Sequence, residues 1–290
     1  MSAGKPDDPW QFLSSRLRSL SPELTKRIIS GAALGIVALV LTYWSSRTFA
    51  VLMFVLAAAM CWEWSRMVRG AMPDTGMVIN VLAIFLAASL SATDMAGLGI
   101  ASVIIGAIAV AALALGTGRA QLSGTGVLYT ALPVVALGWL RDDEPLGFLA
   151  TLFVLVSVVI TDVGAYAAGR TVGGPKLWPA VSPNKTWSGL LGGVVAAGIA
   201  GALFSWISGS GSPHWLVTLG LILGLIAQGG DLAESALKRY FGLKDSSDLI
   251  PGHGGVMDRM DGVVTAGIAA ALIAFAIDAY APARALLYGS

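Results

Sequence analysis

Apolar runs close to membrane-crossing length recur from Ile28 to the end of this chain, and they constrain its fold more than any other feature. A helix needs about 20 apolar residues to cross the hydrocarbon core of a bilayer. The runs fall at roughly 28–44, 48–65, 77–92, 97–116, 125–140, 147–168, 188–208, 215–235 and 262–280. They predict an all-α, polytopic integral membrane protein with nine helices. Composition agrees: 56% of the 290 residues are hydrophobic and only 12% are charged. A soluble domain is usually about 45–50% apolar.

Basic residues orient the helices, because short cytoplasmic loops collect Lys and Arg. With the N-terminus in the cytoplasm, all of the 18 Lys and Arg fall on the cytosolic side except Arg47, Arg141 and Arg284. This asymmetry predicts an odd number of crossings. It places the C-terminus outside and the polar loops 169–187 and 236–258 in the cytoplasm. Residues 1–26 read as a cytosolic tail, in which Trp10, Leu13, Leu17 and Leu20 either line one face of an interfacial helix or belong to a plain polar tail. No removable signal peptide is expected. A net charge of +1 gives no electrostatic case for nucleic acid, and the single Cys61 excludes an internal disulfide framework.

Against this background the stretch Gly229–Asp261 stands apart. It contains Asp231, Glu234, Lys238, Arg239, Lys244, Asp245, Asp248, His253, Asp258, Arg259 and Asp261. Charge packed against membrane helices is costly and marks function by default. Asp231 and Glu234 are three residues apart, as are Asp258 and Asp261, so each pair shares a helix face. Lys238 follows Glu234 at the i+4 position, where the two can pair. If the helix ends meet, the carboxylates offer oxygen ligands to a hard cation such as Mg²⁺. The plain alternative is that they cap helices and neutralise Lys238, Arg239 and Arg259. Pro251-Gly252-His253-Gly254-Gly255 is a loop suited to close backbone approach, with N–H groups available to an anion.

A second polar stretch supplies Asp162 within the sixth apolar run, Tyr166 one turn later, and then Arg170, Lys176 and Lys185. Ser182-Pro183-Asn184-Lys185-Thr186 reads as a turn that opens the seventh helix, where Lys185 and nearby N–H groups suit a phosphate. Glu63, between Trp62 and Trp64, is expected to pair with Arg66 or Arg69 or to reach the site.

The run Ser235, Lys238-Arg239, Lys244-Asp245, Pro251, His253-Gly254-Gly255, Asp258-Arg259 and Asp261 resembles the signature of the phosphatidate cytidylyltransferases, or CDP-diacylglycerol synthases. Asp162-x-x-Ala165-Tyr166-x-x-Gly169-Arg170, Ser182-Pro183-x-Lys185-Thr186-Trp187 and Gly230-Asp231-Leu232-x-Glu234-Ser235 are similar to further family motifs. The likeness covers roughly residues 26–280, and Ser188 stands where the family usually has Glu. It implies a transmembrane cytidylyltransferase domain over 27–290. That domain would take CTP and phosphatidic acid in a bacterial inner membrane, with its site facing the cytoplasm. It also implies Mg²⁺, a second, monovalent cation such as K⁺, and a homodimer. Asp231 and Asp258 are the implied metal residues, with Glu234 and Asp261 beside them. Lys185, Lys238, Arg239, Lys244 and Arg259 are expected around the phosphates, with Ser182, Gly254, Gly255, Asp162 and Tyr166 nearby. His253 is expected to orient a phosphate or a metal-bound water. Two other readings fit parts of the sequence. A CTP-dependent polyprenol or phytol kinase would need a base for the lipid hydroxyl. A cation-coupled transporter would show paired halves, and none are visible.

Overall fold

The computed structural model describes residues 22–70, 73–250 and 254–290. The stretch Trp10–Leu20 and the loop residue His253 lie outside the described residues. Among the described residues nine long helices follow one another: α1 (Pro22–Trp44), α2 (Ser46–Arg69), α3 (Thr75–Ser91), α4 (Ala96–Leu113), α5 (Ala120–Asp142), α6 (Gly147–Thr171), α7 (Trp187–Ser208), α8 (Pro213–Tyr240) and α9 (Met257–Ile277). Seven of these are long and apolar enough to cross a membrane, while the apolar part of α1 (Ala33–Trp44) and α3 are shorter. The chain is a multi-pass α-helical membrane protein.

Several boundaries differ from the sequence expectation. Among the described residues α1 runs from Pro22, so the helix extends into the expected tail. α8 runs on to Tyr240, and α9 begins at Met257. Both helices can carry charge at their ends because those charges pair with each other. The stretch read as a turn before the seventh helix is a strand. β1 (Lys176–Trp178) and β2 (Ser182–Thr186) form an antiparallel hairpin, with Lys176 opposite Thr186 and Trp178 opposite Ser182. The hairpin still opens the helix, since the Thr186 side chain caps α7 by accepting from Gly189 N. A short helix, α10 (Pro282–Tyr288), was not anticipated. It is held by Asp143 Oδ2, which accepts from Ala283 N at 2.7 Å, and by Trp215 Nε1, which donates to Leu286 O at 2.8 Å.

α5 is the hub, packing against α2, α3, α4, α6 and α9. The most extensive helix pairs are α6 with α7 and α7 with α8. Their closeness depends on small residues, which let helix backbones approach in lipid. A Cβ at Gly193 would run into Thr161 O on α6, and one at Gly220 would run into Ala197 O on α7. At the end of the bundle away from the charged stretch, Arg141 is only 2% exposed. Its Nε donates to Thr42 O at 2.7 Å and its guanidinium to Tyr43 O at 3.2 Å, closing the carbonyl end of α1.

Candidate active site

Three helices and the junction of the hairpin with α7 converge on one cavity of about 650 Å³. α6 contributes Asp162, Tyr166 and Arg170; the β2–α7 junction contributes Lys185 and Thr186; α8 contributes Gln228 and Asp231; and α9 contributes Asp258, Arg259 and Asp261. The two polar stretches singled out in the sequence therefore meet, although almost 50 residues separate Lys185 from Asp231 along the chain. Their link is direct, because Lys185 Nζ lies 2.7 Å from Asp231 Oδ2. Tyr166 Oη accepts from Arg170 on the same helix at 2.7 Å.

The carboxylates converge through the close packing of α8 on α9. At the crossing stands Gly230, where a Cβ would overlap Thr265 Oγ1 and Cγ2 on α9. Just beyond it, Asp231, Glu234 and Asp261 each bring an oxygen within 4.8 Å of the others. Glu234 is 3% exposed, and its Oε1 is buried with no hydrogen-bond partner among the described residues. A buried, unpartnered carboxylate oxygen is costly and calls for a cation or water.

Asp258 lines the same cavity but is held differently. Oδ1 accepts from Lys238 Nζ at 2.6 Å. Oδ2 accepts from Gly255 N at 2.8 Å, and from Ser246 N and Oγ, both at 3.0 Å. Lys238 also reaches Glu234 Oε2 at 3.1 Å, the pairing expected from the i+4 spacing. Its ammonium thus bridges the carboxylates of two helices.

Not every expected residue faces the cavity. Arg239 turns away, with Nε donating to Val181 O at 3.4 Å and NH1 to Leu243 O at 3.0 Å. Lys244 lies in an adjoining cleft of about 520 Å³ with Arg66, Asp245, Ser246, Ser247 and Asp248. The chain turns at Gly242, which has φ +69°, and this carries Lys244 away from α8. Ser246 joins the two spaces through its bonds to Asp258. Ser182 sits at the far end of the hairpin from Thr186. Gly254, at φ +82°, pairs with Ile250, and Gly255 gives its N–H to Asp258.

A profile of the cytidylyltransferase family matches residues 25–277. The chain belongs to the cytidylyltransferase family. Its relatives include the phosphatidate cytidylyltransferase of Brucella suis, 36% identical over 243 residues that cover 84% of this chain and 90% of the relative. The phosphatidate cytidylyltransferase of Bacillus subtilis is 32% identical over 251 residues, covering 82% of this chain and 93% of the relative. Another, from Staphylococcus saprophyticus, is 41% identical over 124 residues, or 42% of this chain and 48% of that protein.

In this cytidylyltransferase the structure also brings in residues that the sequence reading did not place. Gln228 joins the cavity wall, and its carbonyl lies 3.5 Å from Lys185 Nζ. Ser246 and Ser247 hold the loop before α9. Their only sequence signal is their position in the charged stretch. Ser188, in place of the usual Glu, bonds to Gly173 O and to Thr186 Oγ1, tying down the base of the hairpin. Glu63 does not pair with Arg66 or Arg69. Arg69 is engaged by Asp74 and Ser65, and Glu63 reaches the loop before α9.

Proposed function

We propose that this chain transfers the cytidylyl group of CTP to phosphatidic acid, giving CDP-diacylglycerol and pyrophosphate. A phosphate oxygen of the lipid forms a bond to the α-phosphorus of CTP. The bond from that phosphorus to the bridging oxygen of the β-phosphate breaks, and its electron pair leaves with pyrophosphate. The lipid phosphate is already anionic, so little proton transfer is needed. Charge repulsion and alignment form the barrier, and fixed positive groups lower it. The observation that carries the reading is the meeting of Lys185, Arg259, Asp231 and Asp261 in one cavity among membrane helices, with Glu234 buried behind the two aspartates.

The donor set fits Mg²⁺: three carboxylates close enough to share one ion, with one oxygen buried and unpartnered. Asp231, Glu234 and Asp261 would hold it, with Asp258 on the same wall. When bound, Mg²⁺ supplies Lewis-acid charge to the phosphoryl oxygens. The second, monovalent cation fits less well, since the Lys238 ammonium fills the space between Glu234 and Asp258. Lys185 and Arg259 bind phosphate oxygens. Asp162, Tyr166 and Arg170 form the wall facing the lipid substrate. Lys238 fixes the spacing of α8 and α9, while Gly254 and Gly255 let the loop close over Asp258. Lys244 serves the adjoining cleft, and Arg239 and Ser182 hold the hairpin against α8. His253 lies next to these groups in the sequence and is assigned to orienting a phosphate.

On this reading a transmembrane domain over 27–290 follows a cytosolic tail, 1–26, in a bacterial inner membrane. The cavity opens to the cytoplasm, where CTP is found. The skew of basic residues toward this end of the bundle supports that orientation. The homodimer rests on the family resemblance alone.

The test uses purified protein, phosphatidic acid and CTP labelled at the α- or the γ-phosphate. Label from the α position is expected in lipid, with γ label released as pyrophosphate. Chelation of divalent cations should stop turnover, and added Mg²⁺ should restore it. Entry of γ label into a lipid alcohol would establish the kinase reading instead.

A further inference from the structure

Glu63 lies on α2, outside the sequence motifs and away from the cavity wall. It is a fully buried acid in a helix long enough to cross the membrane, at 0% exposure. Such a group needs strong partners. Its partners all come from one place nearly 200 residues away. Glu63 Oε1 accepts from Val256 N at 2.8 Å, and Oε2 accepts from Met257 N at 2.7 Å. Ser247 Oγ donates to Oε1 as well, at 2.5 Å.

Val256 and Met257 open α9, which has no side-chain cap of its own. The first N–H groups of a helix lack internal acceptors and carry its positive end. Glu63 supplies the missing cap from another helix. The fit is close, since a Cβ at Gly255 would run into Ser246 Oγ and Glu63 Oε1. The glycine in the sequence is therefore what admits the carboxylate. On the other side of the same short segment, Asp258 binds Gly255 N and Ser246 N. The start of α9 is thus clamped between two carboxylates. This start fixes where Asp258 and Asp261 stand relative to Asp231 and Glu234 on α8.

We propose that Glu63 is a positioning residue for the reaction: it caps α9 and sets the depth at which Asp258 and Asp261 meet the carboxylates of α8. The proposal rests on the reading of those acids as the working cluster. Glu63 does not line the cavity, and it acts through the helix end that it holds.

The test compares full-length wild type with Glu63→Gln, Glu63→Asp and Ser247→Ala, using hydrogen exchange by mass spectrometry alongside kinetics. Glutamine has nearly the same shape, but its NH₂ group cannot accept from an N–H. Loss of a cap should speed exchange of Val256 and Met257 in Glu63→Gln by about fivefold, with the α5 peptides unchanged. Turnover at saturating substrate should fall by about tenfold while KM for phosphatidic acid stays nearly constant, as when a group that orients ligands is lost. Glu63→Asp keeps a carboxylate and should recover part of both effects. Ser247→Ala removes one donor and should shift the same amides in the same direction, more weakly. This keeps the test decisive if Glu63→Gln does not fold. Wild-type exchange at Val256 and Met257 in Glu63→Gln would overturn the proposal, as would a rise spread evenly over all helices. If Glu63→Gln does not fold, wild-type exchange in Ser247→Ala would overturn it. The exchange readout is independent of the reaction, so failure of the cytidylyl assay in wild type would count against the proposed function and not against the cap.

Discussion

Asp231 and Asp258 face one cavity but should fail in different ways when neutralised. Asp231 meets Lys185 and Ser235, both through side chains. Asp231→Asn should lower turnover by more than about 100-fold, the upper end for losing an outer partner of a metal ligand. The protein should still elute from size exclusion as wild type does. Asp258 accepts from Lys238, Ser246 and Gly255, and an asparagine cannot replace all of these bonds. Asp258→Asn should therefore lose turnover and also about 3 kcal/mol of stability, the cost of breaking a buried pair. Thermal melting in detergent separates the two cases. At this scale the sequence was partly legible. The Glu234–Lys238 pair follows from i+4 spacing, whereas the bond from Lys238 to Asp258 spans 20 residues and depends on how α9 returns to α8.

Among the elements, the α8–α9 crossing sets the site, and two adjacent glycines test it. A Cβ at Gly229 would meet nothing within 4 Å, while one at Gly230 would overlap Thr265 Oγ1 and Cγ2 and come within 2.9 Å of Asp261 O. Gly230→Ala should part the helices, costing about 1–3 kcal/mol by overpacking and reducing turnover. Gly229→Ala should be neutral in both thermal melting and the cytidylyl assay. The sequence shows the two glycines as equivalent, and only packing tells them apart. The hairpin of β1 and β2 was invisible for a related reason. Five residues with Pro183 among them carry no strand pattern, and the strand forms because its partner, Lys176–Trp178, lies alongside.

For the whole molecule, the skew of basic residues and the nine long helices among the described residues make one joint prediction. A cysteine introduced by Ser290→Cys should react with a membrane-impermeant maleimide from outside the cytoplasm. Cys61 is buried, so it should not compete for the label. Labelling only after the membrane is opened would show that the number of crossings is even.

The sequence by itself determined the membrane class, the approximate helix count and the identity of the charged groups. Each of these depends on local composition or short-range spacing, and hydrocarbon leaves few alternatives for apolar runs of this length. Tertiary structure decided which charges work together. It brought Lys185 to Asp231, turned Lys244 into a neighbouring cleft, and placed Glu63 at the start of α9. Those contacts join residues tens to nearly 200 positions apart. They depend on where glycines let helices approach, which no single segment of the sequence encodes.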